Sequence, residues 1–149
     1  MTEYTEKDYW EDARFIKWDR RLITSIGASF SDIRALCDMG LPDWVAPHIN
    51  FELYDIETDR LKLGEDADDR DIFINLKSLQ VLVGENNQLL NSSAFKLRQA
   101  LQLYAIMIEK AILIDKDAAI ENKIDSKLVY EFQDKLNKLD PQCLVGDTF

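Results

Sequence analysis

The spacing of apolar and polar positions changes once, near Ser93, and the rest of the chain is arranged around that change. Before it lie two short apolar runs, Ile72-Phe73-Ile74-Asn75-Leu76 and Leu79-Gln80-Val81-Leu82-Val83, separated by Lys77-Ser78. Gly84-Glu85-Asn86-Asn87 and then Gln88-Leu89-Leu90 follow. Short runs rich in Ile, Val and Phe, closed by turn residues, predict strands joined by hairpins. After Ser93, Phe95, Leu97, Leu101, Tyr104, Ile108 and Ile112 recur at helical spacing. Leu103, Ile106 and Met107 widen that apolar face. A helix with so broad a face is covered on two sides, so it is expected to be central, with a sheet on one flank and helices on the other. Asn91, Ser92 or Ser93 supplies its N-cap.

Further elements follow the same logic. Thr5 to Arg14 reads as a capped helix with Tyr9, Trp10, Ala13 and Phe15 inward, and Ile16 to Ile26 fits no single period. Ser29 or Ser31 caps a short helix through Ile33, Leu36 and Met39, and Gly40 ends it. Asp43 to His48 reads as a loop holding Trp44 and Pro47. Asn50 to Tyr54 reads as a strand with Phe51 and either Leu53 or Tyr54 inward. Leu61-Lys62-Leu63 reads as another strand, ending at Gly64. Glu65 to Asp71 is expected to be a solvated acidic loop. Asp115 to Lys123 is a short helix or a loop. Ser126 caps a last helix carrying Leu128, Val129, Phe132, Leu136 and Leu139, stopped by Asp140-Pro141. Gln142 to Phe149 is a tail docked through Leu144 and Phe149. Strands this closely spaced leave no room for βαβ crossovers. The expectation is a single domain over residues 1–149. Its class is α+β, with one mainly antiparallel sheet of about five or six strands packed against helices.

Composition narrows the function. The chain has 149 residues, 46% hydrophobic, enough for a real core. Its net charge of −10 argues against a nucleic-acid binder, which needs Lys and Arg to neutralise phosphates, and against adsorption to anionic lipid. The acidic stretch Met1 to Asp12 lacks the apolar core of a signal peptide, and no apolar run approaches membrane-spanning length. Cys37 and Cys143 form no CxxC pair, so two reduced thiols in a reducing cytosol are expected. A cytoplasmic location follows from these features.

No catalytic constellation declares itself. His48 is the single histidine, lying between Pro47 and Ile49 with no motif around it. Ser-His-Asp or Cys-His chemistry has to use it, and a satisfied loop histidine is the simpler reading. Zinc needs several His and Cys ligands, and the three present are scattered. The Asp66, Asp68 and Asp69 cluster invites a calcium reading. However, it lacks the turn glycine, and Lys77 stands where a bidentate Glu belongs. No enzymatic activity, metal or cofactor is expected.

Several segments, in order, resemble the SUKH superfamily of bacterial immunity proteins, and most its fourth subfamily. Met39-Gly40-Leu41-Pro42 after a short helix is similar to the family's "vGLP" ending, and Leu61-Lys62-Leu63-Gly64 to its "yl.lG" strand. Ile72 to Val83 is similar to the paired strands "i.id…g.V". Leu90-Asn91-Ser92-Ser93 running on to Tyr104 is similar to "vNsSl..fl..y", and Leu139-Asp140-Pro141 with Phe149 to the closing "iDp…fW". The resemblance covers the chain from about Phe30 onward. It departs at Lys77-Ser78 and at Arg70, where the family commonly carries glycine, and at the terminal aromatic pair, cut short at Phe149.

The resemblance implies a cytosolic antidote that binds and blocks a toxin delivered between neighbouring cells, often a nuclease or nucleic-acid deaminase. It supplies no active site, because the matched residues look structural. A toxin that acts on nucleic acid presents a basic cleft, and an acidic partner is steered to it. On this basis Glu65, Asp66, Asp68, Asp69 and Asp71, joined by Asp55, Glu57 and Asp59 across the neighbouring turn, are the candidate partner-binding residues. The expected partner is a cognate protein toxin, with no direct nucleic acid and no membrane. The alternative is a general interaction or regulatory module of the same fold with no toxin partner.

Overall fold

The computed structural model describes residues 14–45, 49–120 and 123–141, with no side-chain account at 120. The helix expected at Thr5 to Arg14, His48, Cys143 and the tail lie outside the described residues, wholly or nearly so. Two layers are present. Strands β1 (Phe15–Ile16) and β2 (Leu41–Pro42) form a small antiparallel pair. Strands β3 (Trp44–Val45), β4 (Ile49–Phe51), β5 (Arg60–Glu65), β6 (Asp71–Asn75), β7 (Val81–Val83) and β8 (Gln88–Asn91) form a six-stranded antiparallel meander in chain order. The helices are α1 (Arg20–Ser25), α2 (Phe30–Ile33, continued as a π-helical stretch, Arg34–Met39), α3 (Ala94–Ile114), α4 (Lys116–Ile120) and α5 (Ser126–Leu139). The fold is α+β with a mainly antiparallel sheet, as the spacing predicts.

One core joins the layers. Leu61, Leu63, Ile72, Ile74, Val81 and Val83 turn inward from the sheet and cluster with Leu97, Leu101, Tyr104 and Ile108 of α3. On its other flank α3 packs against α5, where Tyr104 meets Phe132 edge-on at 5.8 Å between ring centroids. Burial pushes the Tyr104 hydroxyl up to about 12, so it stays neutral. The central placement of α3 follows from its broad apolar face. Ile112 is a correction: it lies in the last turn of α3, where Ala111 is buried, and is itself exposed.

Several boundaries differ from the sequence reading for local reasons. Trp44–Val45 is a strand, because Val45 and Ile49 pair across the edge of the sheet. Beyond Phe51 the chain leaves the sheet, so Leu53 is 61% exposed rather than inward. Strand β5 runs through Gly64 instead of ending there. A bulge between Lys62 and Gly64 turns Leu63 and Gly64 both toward the core. A Cβ at Gly64 would run into the Asn50 carbonyl, so only glycine lets β4 approach. The cap of α5 is Asp125, not Ser126: its carboxylate accepts from the Lys127 N–H at 2.8 Å. Gly40 has φ +80°, and a Cβ there would lie 2.7 Å from the Ile16 carbonyl oxygen. Its own carbonyl accepts from the buried Arg98 Nε at 2.8 Å, which ties the end of α2 to α3.

The entry to α3 is the most heavily bonded junction. Ser93 is the cap, accepting from the Lys96 N–H at 3.1 Å. Asp32, from α2, accepts from the Phe95 N–H at 2.9 Å. Asp140, just past α5, accepts from the Ser92 N–H at 2.8 Å and from Asn91 Nδ2 at 3.2 Å. Asp32 and Asp140 are 5% and 2% exposed, so two remote elements each place a buried carboxylate at one turn. Asp32 satisfies a first-turn N–H that a helix start leaves open and meets the positive end of the helix dipole, while Asp140 holds the two residues before the cap.

Burial raises the pKa of Asp32, and the backbone hydrogen bonds from Phe95 and Ala94 only partly offset it. A carboxyl raised in the folded state binds its proton more tightly there than in the unfolded chain. Its contribution to stability is therefore largest below the unfolded carboxyl range and falls as pH rises toward the folded value. Asp32→Asn keeps an acceptor for Phe95 and removes that dependence. In urea unfolding it should match or exceed the wild type at pH 7, and its advantage should shrink as pH falls through the carboxyl range. Asp32→Ala should cost about 1 kcal/mol or more at either pH.

Candidate functional site

The bulge in β5 arranges the face of the sheet that turns away from the helices. Register places Arg60, Lys62 and Glu65 of β5 on this outer face, with Asp71, Phe73 and Asn75 opposite them on β6. The Arg60 guanidinium lies 4.0 Å over the Phe73 ring, and that ring is 1% exposed. Lys62 Nζ lies 2.9 Å from Glu65 Oε1, 3.0 Å from Asp71 Oδ1 and 4.4 Å from the Tyr54 ring centroid. Desolvation alone would lower the pKa of Lys62. The hydrogen bonds to Glu65 and Asp71 outweigh it and raise the pKa above its ordinary value. Lys62 is therefore a fixed cation between two carboxylates that face each other across the ladder. Burial, then the hydrogen bond with Glu52, raises the pKa of Tyr54, whose ring covers Lys62.

The hairpin between β5 and β6 is built on one carboxylate. Asp66 Oδ1 accepts from the Asp68 and Arg70 N–H groups, both at 3.0 Å. Asp66 Oδ2 accepts from Arg70 Nε at 2.9 Å and lies 2.7 Å from Arg70 Nη2. The Asp66 side chain is 1% exposed. This corrects the reading of a uniformly solvated loop: Asp66 is the interior post of the hairpin. It also accounts for the arginine at position 70, whose guanidinium neutralises that post. Asp68 and Asp69 remain exposed at the tip, with Asp69 in the left-handed region at φ 58°.

The candidate acids approach the β5–β6 ladder from two places. Glu65 pairs with Asp71 at one end of the β5–β6 ladder, and Arg60 pairs with Asn75 at the other. Asp55, Glu57 and Asp59 lie in the loop leading into Arg60, where the Glu57 N–H donates to the Arg60 carbonyl. Roughly 16 Å of strand lies between Arg60 and Glu65, which sets Asp59 away from the hairpin, whereas Asp55 follows Tyr54, whose ring lies over the lysine that binds Glu65. All three are exposed.

Charge is unevenly shared between the layers. Residues 43–85, which hold the five strands β3 to β7, carry eleven acids against four bases. Residues 86–141, which hold β8 and the last three helices, carry eight of each. Most of the net charge of −10 therefore belongs to the sheet. Trp44 is 56% exposed on edge strand β3, and the sequence reading did not place it in the site. Its signal was masked by Pro42 and Pro47, which made the segment look like a loop. Arg60 and Lys62 were also missed, and only the register shows that they share a face.

Other chemistry is sparse. Cys37 is a half-buried free thiol, and burial, then the Asp38 carboxylate, push it up and keep it protonated. Among the described residues no group of three or more His, Cys, Asp or Glu is placed to hold a metal ion. No helix among them is long and apolar enough to cross a membrane. Two small hollows lie among the described residues, one between α3 and α5 around Met107 and Phe132, the other beside α4 around Ile114 and Ile124. Comparison with family models, curated proteins and solved structures finds no match to this chain.

The bond pattern around Asp66 gives a direct stability test. Asp66→Ala leaves two backbone donors and a guanidinium without their acceptor, so it should cost about 3 kcal/mol in urea unfolding. Asp68→Ala and Asp69→Ala should each stay within about 0.5 kcal/mol of the wild type. Equal effects at all three positions would contradict the interior role of Asp66.

Proposed function

We propose that this chain is an immunity protein that binds a cognate protein toxin in the bacterial cytosol and neutralises it by occupying a basic surface. The observation that carries the reading is the concentration of negative charge on the sheet beside a helical layer of balanced charge. A nuclease or deaminase needs cationic residues around its nucleic acid. A one-sided acidic partner is steered to such a surface, and the like-charged substrate is excluded. The ordered resemblance of Met39-Gly40-Leu41-Pro42, Leu90-Asn91-Ser92-Ser93 and Leu139-Asp140-Pro141 to SUKH immunity proteins supports the same role.

Within this reading, Glu65, Asp68, Asp69 and Asp71 are the contact acids at one end of the ladder. Asp55, Glu57 and Asp59 extend the field at the other. Asp66 acts indirectly, by holding the hairpin. The mechanism is occlusion and needs no chemistry from the chain.

The test is growth rescue with co-purification. The toxin domain encoded beside this gene is expressed with and without the chain. Rescue with a one-to-one complex is expected. Replacing Glu65, Asp68, Asp69 and Asp71 with Gln or Asn should weaken that complex at least tenfold and flatten its salt dependence, with circular dichroism unchanged. Failure of both rescue and complex formation would refute the reading.

A further inference from the structure

The outer face has an aromatic anchor beside its acids. Trp44 pairs with Asn50, Asn50 with Glu65, and Glu65 with Asp71, so four strands place these side chains in one row. Directly paired residues of antiparallel strands share a face. Val45, Ile49 and Phe51 turn the other way, into the core. The row therefore begins with a largely exposed indole on an edge strand and ends with two carboxylates that share one lysine.

Trp44 is 56% exposed, unlike Trp18, which is 3% exposed and part of the core. An exposed tryptophan is costly in water and is enriched at the energetic centres of interfaces. Its ring face attracts cations, most strongly guanidinium groups. Two strand spacings, roughly 10 Å, separate it from Glu65. Glu65 and Asp71 carry two charges against the single charge of Lys62, so one negative charge is left over and both carboxylates remain partly open at 31% and 44%.

We propose that the row Trp44-Asn50-Glu65-Asp71 is the docking surface for an arginine-rich protein patch, with the Trp44 indole as anchor and the Glu65–Asp71 pair as its charged end. This deepens the binding reading by naming the contact row and the chemistry of the partner, and it rests on that reading. One arginine lies over the indole, and a second reaches the carboxylates. Complementary charge selects this occupant: the row lies in the segment with eleven acids and four bases. A nucleic acid or an anionic membrane is repelled from it.

The experiment uses the full chain and a fluorescein-labelled hexa-arginine peptide. Affinity is read by fluorescence polarisation, and the contact surface by amide and indole NMR shifts. No toxin is needed, so failure here is separate from failure of growth rescue. Binding should perturb the Trp44 indole N–H and the Asn50 side-chain amide. Trp44→Ala should weaken it about threefold to fivefold, and Trp44→Phe should restore most of that loss. Glu65→Gln with Asp71→Asn should weaken it further, whereas Glu131→Gln with Asp134→Asn on α5 should change it less than twofold. Shifts spread evenly over the acidic surface, or equal affinity for Trp44→Ala, would overturn the proposal. So would a concentration-dependent dimer that Trp44→Ala abolishes, because the occupant would then be a second copy of this chain.

Discussion

The turn from β8 into α3 is the constraint on which the rest of the structure depends. A long helix beginning inside a core exposes N–H groups that water cannot reach. Here Ser93 accepts from one, Asp32 from another and Asp140 from the Ser92 N–H just before them. Asp32 and Asp140 lie on elements far apart in the chain, so the same bonds that start the helix also fix where α2 and α5 pack. Gly40, held by Arg98, adds a third tie one turn along α3. With the helix placed, its broad apolar face sets the sheet on one side and α5 on the other.

The consequence for the sheet is a division of labour. Its inner face is committed to the core, through Leu61, Ile72, Val81 and their neighbours. The outer face is free to carry charge, and the bulge at Leu63 brings Lys62, Glu65 and Asp71 together on it. Asp66 and Arg70 complete the arrangement by bracing the hairpin that bears Asp68 and Asp69. Fold and proposed binding surface are thus linked through one hairpin. The interior carboxylate makes the loop stable, and the exterior ones make it acidic.

The fold class was legible because the pattern changes sharply: short apolar runs closed by turn residues up to Leu90, then a helical repeat through Ile108. Gly40 and Asp140, and the Asn91-Ser92-Ser93 stretch that holds the cap, were legible as punctuation, since cap and stop residues act locally. The candidate site was less legible. Which acids are buried depends on tertiary partners, so Asp66 could not be told from Asp68 in a run of like residues. How Asp55, Glu57 and Asp59 sit relative to the hairpin depends on the path of the loop into β5, with Tyr54 folded over Lys62, and no local signal in the chain reports it. Trp44 was hidden for a different reason: a two-residue edge strand leaves no period to read.

The central claim is that the acidic sheet, rather than the balanced helical layer, meets the partner. Hydrogen–deuterium exchange on the chain alone and in complex with the toxin domain proposed as its partner tests it most directly. The account predicts slowed exchange in β3 to β6 and their connecting loops, with α3 and α5 unchanged. Protection confined to α3 and α5, with β3 to β6 exchanging as in the free chain, would contradict it.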